Sequence, residues 1–86
     1  MKNGDVVISL KGHDKGNFYV LMEIQNDIAL LCDGKRKLLS KPKKKNIRHL
    51  KEAGISIDFS MHSPLYDAHI LKELRSVLKK GGCCLG

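Results

Sequence analysis

The first half of the chain consists of short apolar segments separated by turn-forming residues, and this pattern constrains the fold most. Residues 6–10 alternate with the period of a half-buried β-strand. Residues 18–25, FYVLMEIQ, are rich in aromatic and β-branched side chains and form a second segment. Asn26 and Asp27 tolerate positive φ, so they predict a two-residue hairpin turn into a third strand at 28–33.

Two further strands are expected before residue 51. The turn Asp33-Gly34 leads to a short fourth strand at Lys37–Ser40, and after a Pro-Lys linker the segment 46–50 could form a fifth that closes the sheet on itself. In the second strand, Val20, Met22 and Ile24 should share one face. Five short strands with tight turns predict a mostly β fold, a small five-stranded barrel over residues 1–51.

The pattern changes after Lys51. Residues 52–62 are interpreted as a connector, and residues 63–80 as a C-terminal helix with Ser63 at the N-cap and Pro64 in the first turn. Gly81 should cap this helix, and residues 81–86 form a flexible tail. Apolar residues recur at helical spacing on one stripe: Ile70, Leu71, Leu74, Val77 and Leu78. This stripe must pack either on the barrel or on a partner protein.

Positive charge is concentrated in one segment. The 86-residue chain has a net charge of +7 and is large enough for one small domain. Nine basic residues and no acidic residue lie between Lys35 and Lys51. Such a run is either a solvated surface or, as we favour, a site for a polyanion. Nucleic acid is preferred over a membrane because Pro42 disfavours an amphipathic basic helix.

Glycines bracket the loop KGHDKGNF, residues 11–18. Three residues separate Gly12 from Gly16 and a strand follows, whereas a nucleotide-binding P-loop needs four residues and a helix. The loop is therefore interpreted as a strand connection with two positions open to positive φ. Its backbone N–H groups, with Lys11, His13 and Lys15, could meet a sugar-phosphate backbone.

Residues 5–51 resemble the KOW motif and its flanking strands. The matching features are Gly-x-Asp-Lys-Gly at 12–16, Asp33-Gly34-Lys35, and KPKKKNIRHL at 41–50. The segment is most similar to small bacterial KOW-domain proteins related to eukaryotic-type large-subunit ribosomal proteins, and the C-terminal helix is similar to an extension of these relatives. The resemblance implies an SH3-like barrel that binds RNA, often on the ribosome. The tail GGCCLG departs from that pattern.

Thirteen residues are predicted to contact RNA or to shape the contact loop. We expect recognition of the shape and backbone of the RNA rather than of its bases, with Phe18 in the core and Tyr19 as an exposed contact. The predicted residues are Lys11, Gly12, His13, Lys15, Gly16, Lys35, Arg36, Lys37, Lys41, Lys43, Lys44, Lys45 and Arg48.

Other classes of function are disfavoured. The histidines and cysteines lack the spacing of a metal site, so we expect no bound metal and no cofactor. No nucleophile stands beside an acid–base pair, so we expect no enzymatic activity. The odd number of cysteines predicts reduced thiols, with Cys32 as a small core residue. We expect a cytoplasmic monomer that binds no membrane. The alternative function is a protein-interaction module of the transcription or translation machinery, using the barrel edge or the helix.

Overall fold

The computed structural model describes residues 1–59 and 64–81 of the chain. In this part of the chain five strands form one antiparallel sheet of order β4-β3-β2-β1-β5, followed by one helix. The predicted mostly β fold with a C-terminal helix is confirmed. The elements are β1 (Asp5–Ser9), β2 (Phe18–Gln25), β3 (Ile28–Cys32), β4 (Lys43–Asn46), β5 (Leu50–Ser56) and α1 (Asp67–Gly81), with a 3₁₀ turn (Ile47–His49) between β4 and β5.

The β2–β3 hairpin lies where the sequence predicts it. Asn26 and Asp27 connect the two strands, and Asn26 has a φ of 57°. Gly34, in the next predicted turn, has a φ of 75°. These turns were predictable because each depends on a short run of residues whose backbone preferences are local.

The sheet is open, which corrects the expectation that a fifth strand closes it. Strands β4 and β5 lie at opposite edges of the sheet, and no ladder joins them within residues 1–59. The segment between them bonds elsewhere. The N–H of Ile47 donates to the carbonyl of Asp27 (2.9 Å), and the carbonyl of His49 accepts from the N–H of Leu10 (2.8 Å).

The fourth and fifth strands also differ from their predicted positions. Residues 37–40 form no strand, and Leu38 and Lys41 make only an isolated bridge. The predicted linker is instead β4, a four-residue edge strand in which lysines are well tolerated. Strand β5 begins at Leu50 and crosses the boundary placed at residue 51, so most of it lies in the predicted connector.

Apolar residues cover both faces of the sheet. The inner core lies on the face away from the helix and consists of Val7, Tyr19, Leu21, Ala29, Leu31 and Leu50. The helix-side core consists of Val6, Val20, Cys32, Ile57, Ile70 and Leu74. An irregularity in the register between Leu21 and Glu23 changes the face of β2. Met22 therefore packs with Val20, but Ile24 packs against the inner core, which corrects their predicted common face.

Helix α1 packs on the sheet of its own chain. Ile70 is fully buried and Leu74 nearly so, and both belong to the helix-side core. The helix begins at Asp67, later than predicted, and the proposed N-cap Ser63 lies outside the described residues. The carbonyl of Tyr66 accepts from the N–H groups of His69 (3.0 Å) and Ile70 (3.3 Å), which starts the helical hydrogen bonding. Gly81 is the last helical residue, not a cap outside the helix.

Cys32 is a core residue, as predicted. It is fully buried in the helix-side core, and burial raises the pKa of its thiol to about 11. The other two cysteines and the tail residues 82–86 lie outside the described residues. Within the described ranges, no helix has the length and apolar character needed to cross a membrane.

Candidate nucleic-acid interface

Residues 10–17 form a tight connection between β1 and β2, which we call the glycine loop. Gly12 and Gly16 both have a φ of 90°, a region that favours glycine. The N–H of Gly16 donates to the carbonyl of Ser9 (2.8 Å), and the N–H of Ser9 donates to the carbonyl of Asn17 (3.0 Å). Lys11, His13 and Lys15 are exposed on this loop, as the sequence predicts.

Asp14 ties the glycine loop to β4. Its Oδ1 lies 3.0 Å from the Nζ of Lys45, and its Oδ2 lies 3.2 Å from the Nζ of Lys43. The hydroxyl of Ser9 donates to Oδ1 (2.9 Å) and that of Tyr19 to Oδ2 (3.1 Å). Lys45 also donates to the carbonyl of Lys11 (2.6 Å). We call Asp14, Lys43, Lys45, Ser9 and Tyr19 the Asp14 network.

These contacts fix Asp14 in its charged form. Its side chain is 13% exposed, and this burial opposes ionisation. Hydrogen bonds from Lys45, Ser9, Lys43 and Tyr19 outweigh the burial and hold the pKa of the carboxyl well below its ordinary value. Burial also raises the pKa of the Tyr19 hydroxyl, which keeps this group a donor to Asp14.

Strand alternation divides the lysines of β4. Lys43 and Lys45 pair with Leu31 and Ala29 of the inner core, and both point toward Asp14. Lys44 occupies the alternate position and is exposed. The charges of Lys43 and Lys45 are thus partly neutralised within the protein. The sequence-based prediction assigned the same RNA-contacting role to all three lysines and did not distinguish them.

Asp33 organises the second basic loop, residues 33–42. Its Oδ1 accepts the backbone N–H groups of Lys35 (2.9 Å), Arg36 (2.8 Å) and Lys37 (2.8 Å). A carboxylate that binds three successive N–H groups curls the chain into a compact turn. Lys35 and Arg36 are exposed on this turn, and Lys37 is half-buried.

The two loops meet around Arg36. On one side lies the loop groove, a hollow of about 450 Å³ lined by both loops and by β4. On the other side, the helix groove of about 430 Å³ lies between the loops and α1. Arg36 and Asp33 line both grooves. A smaller hollow of about 330 Å³ continues past Arg36 and Lys37 to Lys41.

Most of the thirteen predicted residues lie on the two basic loops or line the three hollows around Arg36. Gly12, His13, Arg36, Lys37, Lys43 and Lys45 line the loop groove, and Gly16 and Lys35 line the helix groove. Lys41 lines the third hollow, and Lys11 and Lys15 are exposed on the glycine loop. Lys44 and Arg48 are exposed but line none of these three hollows.

The prediction that Tyr19 is an exposed contact is wrong. Its side chain is only 3% exposed in the inner core, while Phe18 is half-buried against the helix-side core. Tyr19 pairs with the buried Val7 across the β1–β2 ladder, and the apolar Leu21 two residues on could have indicated an inward face. Sequence reasoning also missed Ser9, which donates to Asp14, and Arg75, which lines the helix groove; no local pattern singles them out.

The comparisons with known proteins leave the family open. No protein-family model matches the chain, and no curated protein matches its sequence. Among the described residues, no group of three or more His, Cys, Asp or Glu is arranged to hold a metal ion. His62 and the two cysteines of the tail lie outside these residues.

Proposed function

We propose that this protein binds RNA through the surface formed by the glycine loop and residues 33–42. One observation carries the proposal: two basic loops that are distant in sequence meet around the loop groove, with exposed cations on both. Clustered like charges repel each other, and a polyanion relieves that cost. Lysine and arginine bind phosphates without regard to sequence, which suits the RNA backbone.

The lysines and arginines of this surface divide into two roles. The exposed ones contact phosphates directly: Lys11, Lys15, Lys35, Arg36 and Lys41. Lys43 and Lys45 hold the glycine loop against β4 through Asp14, and their remaining positive charge adds to the field of the groove. His13 and Lys37 also line the loop groove, and they belong to neither of these two groups.

The family proposal remains the KOW group. The Gly-x-Asp-Lys-Gly loop, the DGK turn and the KPKKK run support it, and the strand order β4-β3-β2-β1-β5 around one inner core supports an SH3-like arrangement with an open edge. By the same resemblance we propose a cytoplasmic protein of bacterial type that acts as a monomer on ribosomal RNA or on a ribosome-associated RNA.

For the alternative of a protein-interaction module, helix α1 offers less apolar surface than its sequence suggests. The apolar stripe of α1 was a candidate contact, but Ile70 and Leu74 are buried against the sheet of the same chain. The edges of the sheet at β4 and β5 remain the candidate for such contacts, and ribosomal or transcription proteins the candidate partners. No contact among residues 1–59 and 64–81 favours this function over RNA binding.

Neutralising the exposed turn of residues 33–42 tests the proposal. The double variant Lys35→Gln/Arg36→Gln removes two charges and leaves the Asp33 hydrogen bonds intact, because those use backbone N–H groups. We expect its affinity for an RNA hairpin at low salt to fall roughly tenfold, measured by fluorescence anisotropy.

The matched control is Lys2→Gln/Lys51→Gln, which removes two exposed lysines outside the proposed surface. It should retain most of the affinity. If both variants lost affinity equally, net charge rather than this surface would govern binding. Wild-type affinity in the first variant would rule out this surface as the site.

A further inference from the structure

The helix groove differs in chemistry from the loop groove. Phe18 of β2, together with Leu71 and Leu78 of α1, gives it an apolar lining, and Arg36 and Arg75 also line it. Phe18 and Leu78 are only partly buried against the helix-side core, so they present apolar surface to this groove. A groove that binds only phosphate oxygens has no need of an apolar lining.

An apolar lining with cations in the same groove suits an unpaired nucleotide. Bases stack on aromatic side chains and on the planes of arginine side chains, and their apolar faces leave water on contact with aliphatic groups. Asn17 and Asp33 also line the groove and add amide and carboxylate groups that can bond to the polar edge of a base. The volume of about 430 Å³ leaves room for one base and its sugar.

The position of the groove connects it to the proposed RNA surface. Arg36 and Asp33 line both grooves, so the two grooves are adjacent and one RNA strand could contact both. An acidic amphipathic peptide is the competing class of ligand. The amino group of a base can donate a hydrogen bond to the carboxylate of Asp33, whereas an ionised acidic side chain has no donor to offer it.

We propose that the helix groove takes the base of an unpaired nucleotide, with an adjacent phosphate on Arg36. The inference rests on the proposed RNA-binding function and extends it, because it predicts a preference for RNA that has a bulged or single-stranded residue. Phe18, Leu71 and Leu78 contact the base, and Arg75 covers it from α1. Backbone recognition through the loops then supplies affinity, and the groove supplies discrimination between RNA structures.

The test compares two RNA hairpins of the same length, one fully paired and one with a single unpaired adenosine. Wild-type protein should bind the bulged hairpin roughly 5- to 100-fold more tightly, the range expected for one stacked base. Arg75→Ala should remove most of this preference and leave the affinity for the paired hairpin nearly unchanged. Lys72→Ala removes one exposed cation from the same helix outside the groove and should retain the preference.

A structural readout accompanies the affinities. The methyl resonances of Leu71 and Leu78 should shift on addition of the bulged hairpin and not of the paired one. Equal affinity of wild-type protein for the two hairpins would overturn this inference while leaving RNA binding intact. Failure to bind either hairpin would overturn both proposals. Arg75-dependent binding of a synthetic Glu- and Leu-rich amphipathic peptide, without discrimination between the hairpins, would assign the groove to a protein ligand instead.

Discussion

At the scale of single residues, Asp14 connects three strands of the sheet. It accepts hydrogen bonds or ion pairs from four side chains that belong to β1, β2 and β4. The sequence draws attention to Asp14 as part of a glycine-spaced loop, but it does not reveal the role. The partner Lys45 is 31 residues away, and only the register of β4 against β3 brings it to the loop.

The variant Asp14→Asn should be less stable than wild type at neutral pH. It removes the negative charge that Lys43 and Lys45 share, and we expect a loss of about 1–3 kcal/mol in the free energy of unfolding, measured by urea denaturation. Asp27→Asn serves as the control because Asp27 is an exposed aspartate of the hairpin turn. Its unfolding midpoint should match that of wild type.

The loss should depend on pH. The folded-state pKa of Asp14 lies below the ordinary value of 3.8, so its stabilising contribution is fully present above about pH 4 and disappears as the pH falls through the folded-state value. The gap between wild type and Asp14→Asn should therefore narrow at pH 3 relative to pH 7. A gap that stayed constant down to that pH would mean that the ion pairs contribute nothing.

At the scale of elements, the contact between α1 and the second basic loop depends on Gly34. A Cβ on Gly34 would overlap the carbonyl oxygen of Asp67 and would lie 2.6 Å from the backbone nitrogen of Leu71. In the same contact, the Oδ1 of Asp67 accepts the N–H of Leu39 at 2.7 Å. The first turn of the helix therefore packs directly on the backbone of the loop.

Two glycine variants separate this contact from backbone strain alone. Gly34→Ala introduces both the overlap and an alanine at a φ of 75°, and it should cost about 2–4 kcal/mol of stability. Gly16→Ala places an alanine at a φ of 90° with no atom within 4 Å of its Cβ, and it should cost about 1–2 kcal/mol. Urea midpoints for the two proteins give the comparison. Equal losses would show that the helix moves away from Gly34 at little cost.

The elements also show which parts of the fold were accessible to sequence reasoning. The β2–β3 hairpin and the existence of a C-terminal helix depend on local patterns, and both predictions are confirmed. Strand β4 was not predicted, because KPKKKN has low β-propensity and pairs as a strand only through its ladder with β3. The start of α1 was placed too early: the helix begins at Asp67, whose side chain makes a tertiary contact with Leu39 that has no local signature.

At the scale of the whole molecule, the positive charge is distributed unevenly. The salt dependence of RNA binding can test whether this charge contacts phosphates. Wild-type affinity for RNA should fall with rising salt with a slope of log K against log salt of roughly −3 to −5, which corresponds to contacts of Lys or Arg with some four to six phosphates. The Lys35→Gln/Arg36→Gln variant should show a slope smaller in magnitude by about 1 to 2. Titrations between 50 and 300 mM salt measure both slopes. Identical slopes would contradict direct phosphate contacts at this turn.

The sequence predicted which charged residues belong to the candidate site, but not how they are arranged on the surface. The basic residues and the two glycines are visible in the sequence, and most of them gather around the grooves. Their division into exposed cations and the paired Lys43 and Lys45 depends on the alternation of an unpredicted strand. The apolar lining of the helix groove depends on where α1 packs, which no local pattern determines.

The hydrogen bond from Leu39 to Asp67 and the close packing at Gly34 should also couple the stability of helix α1 to anion binding at the loop of residues 33–42. Because the helix and the cationic loop share these contacts, we expect them to unfold locally as one cooperative unit. An anion held by Lys35 and Arg36 would slow the exchange of amide hydrogens along α1, beyond the residues it touches. By the same linkage, a molecule that pulled α1 from the sheet would weaken anion binding without entering either groove.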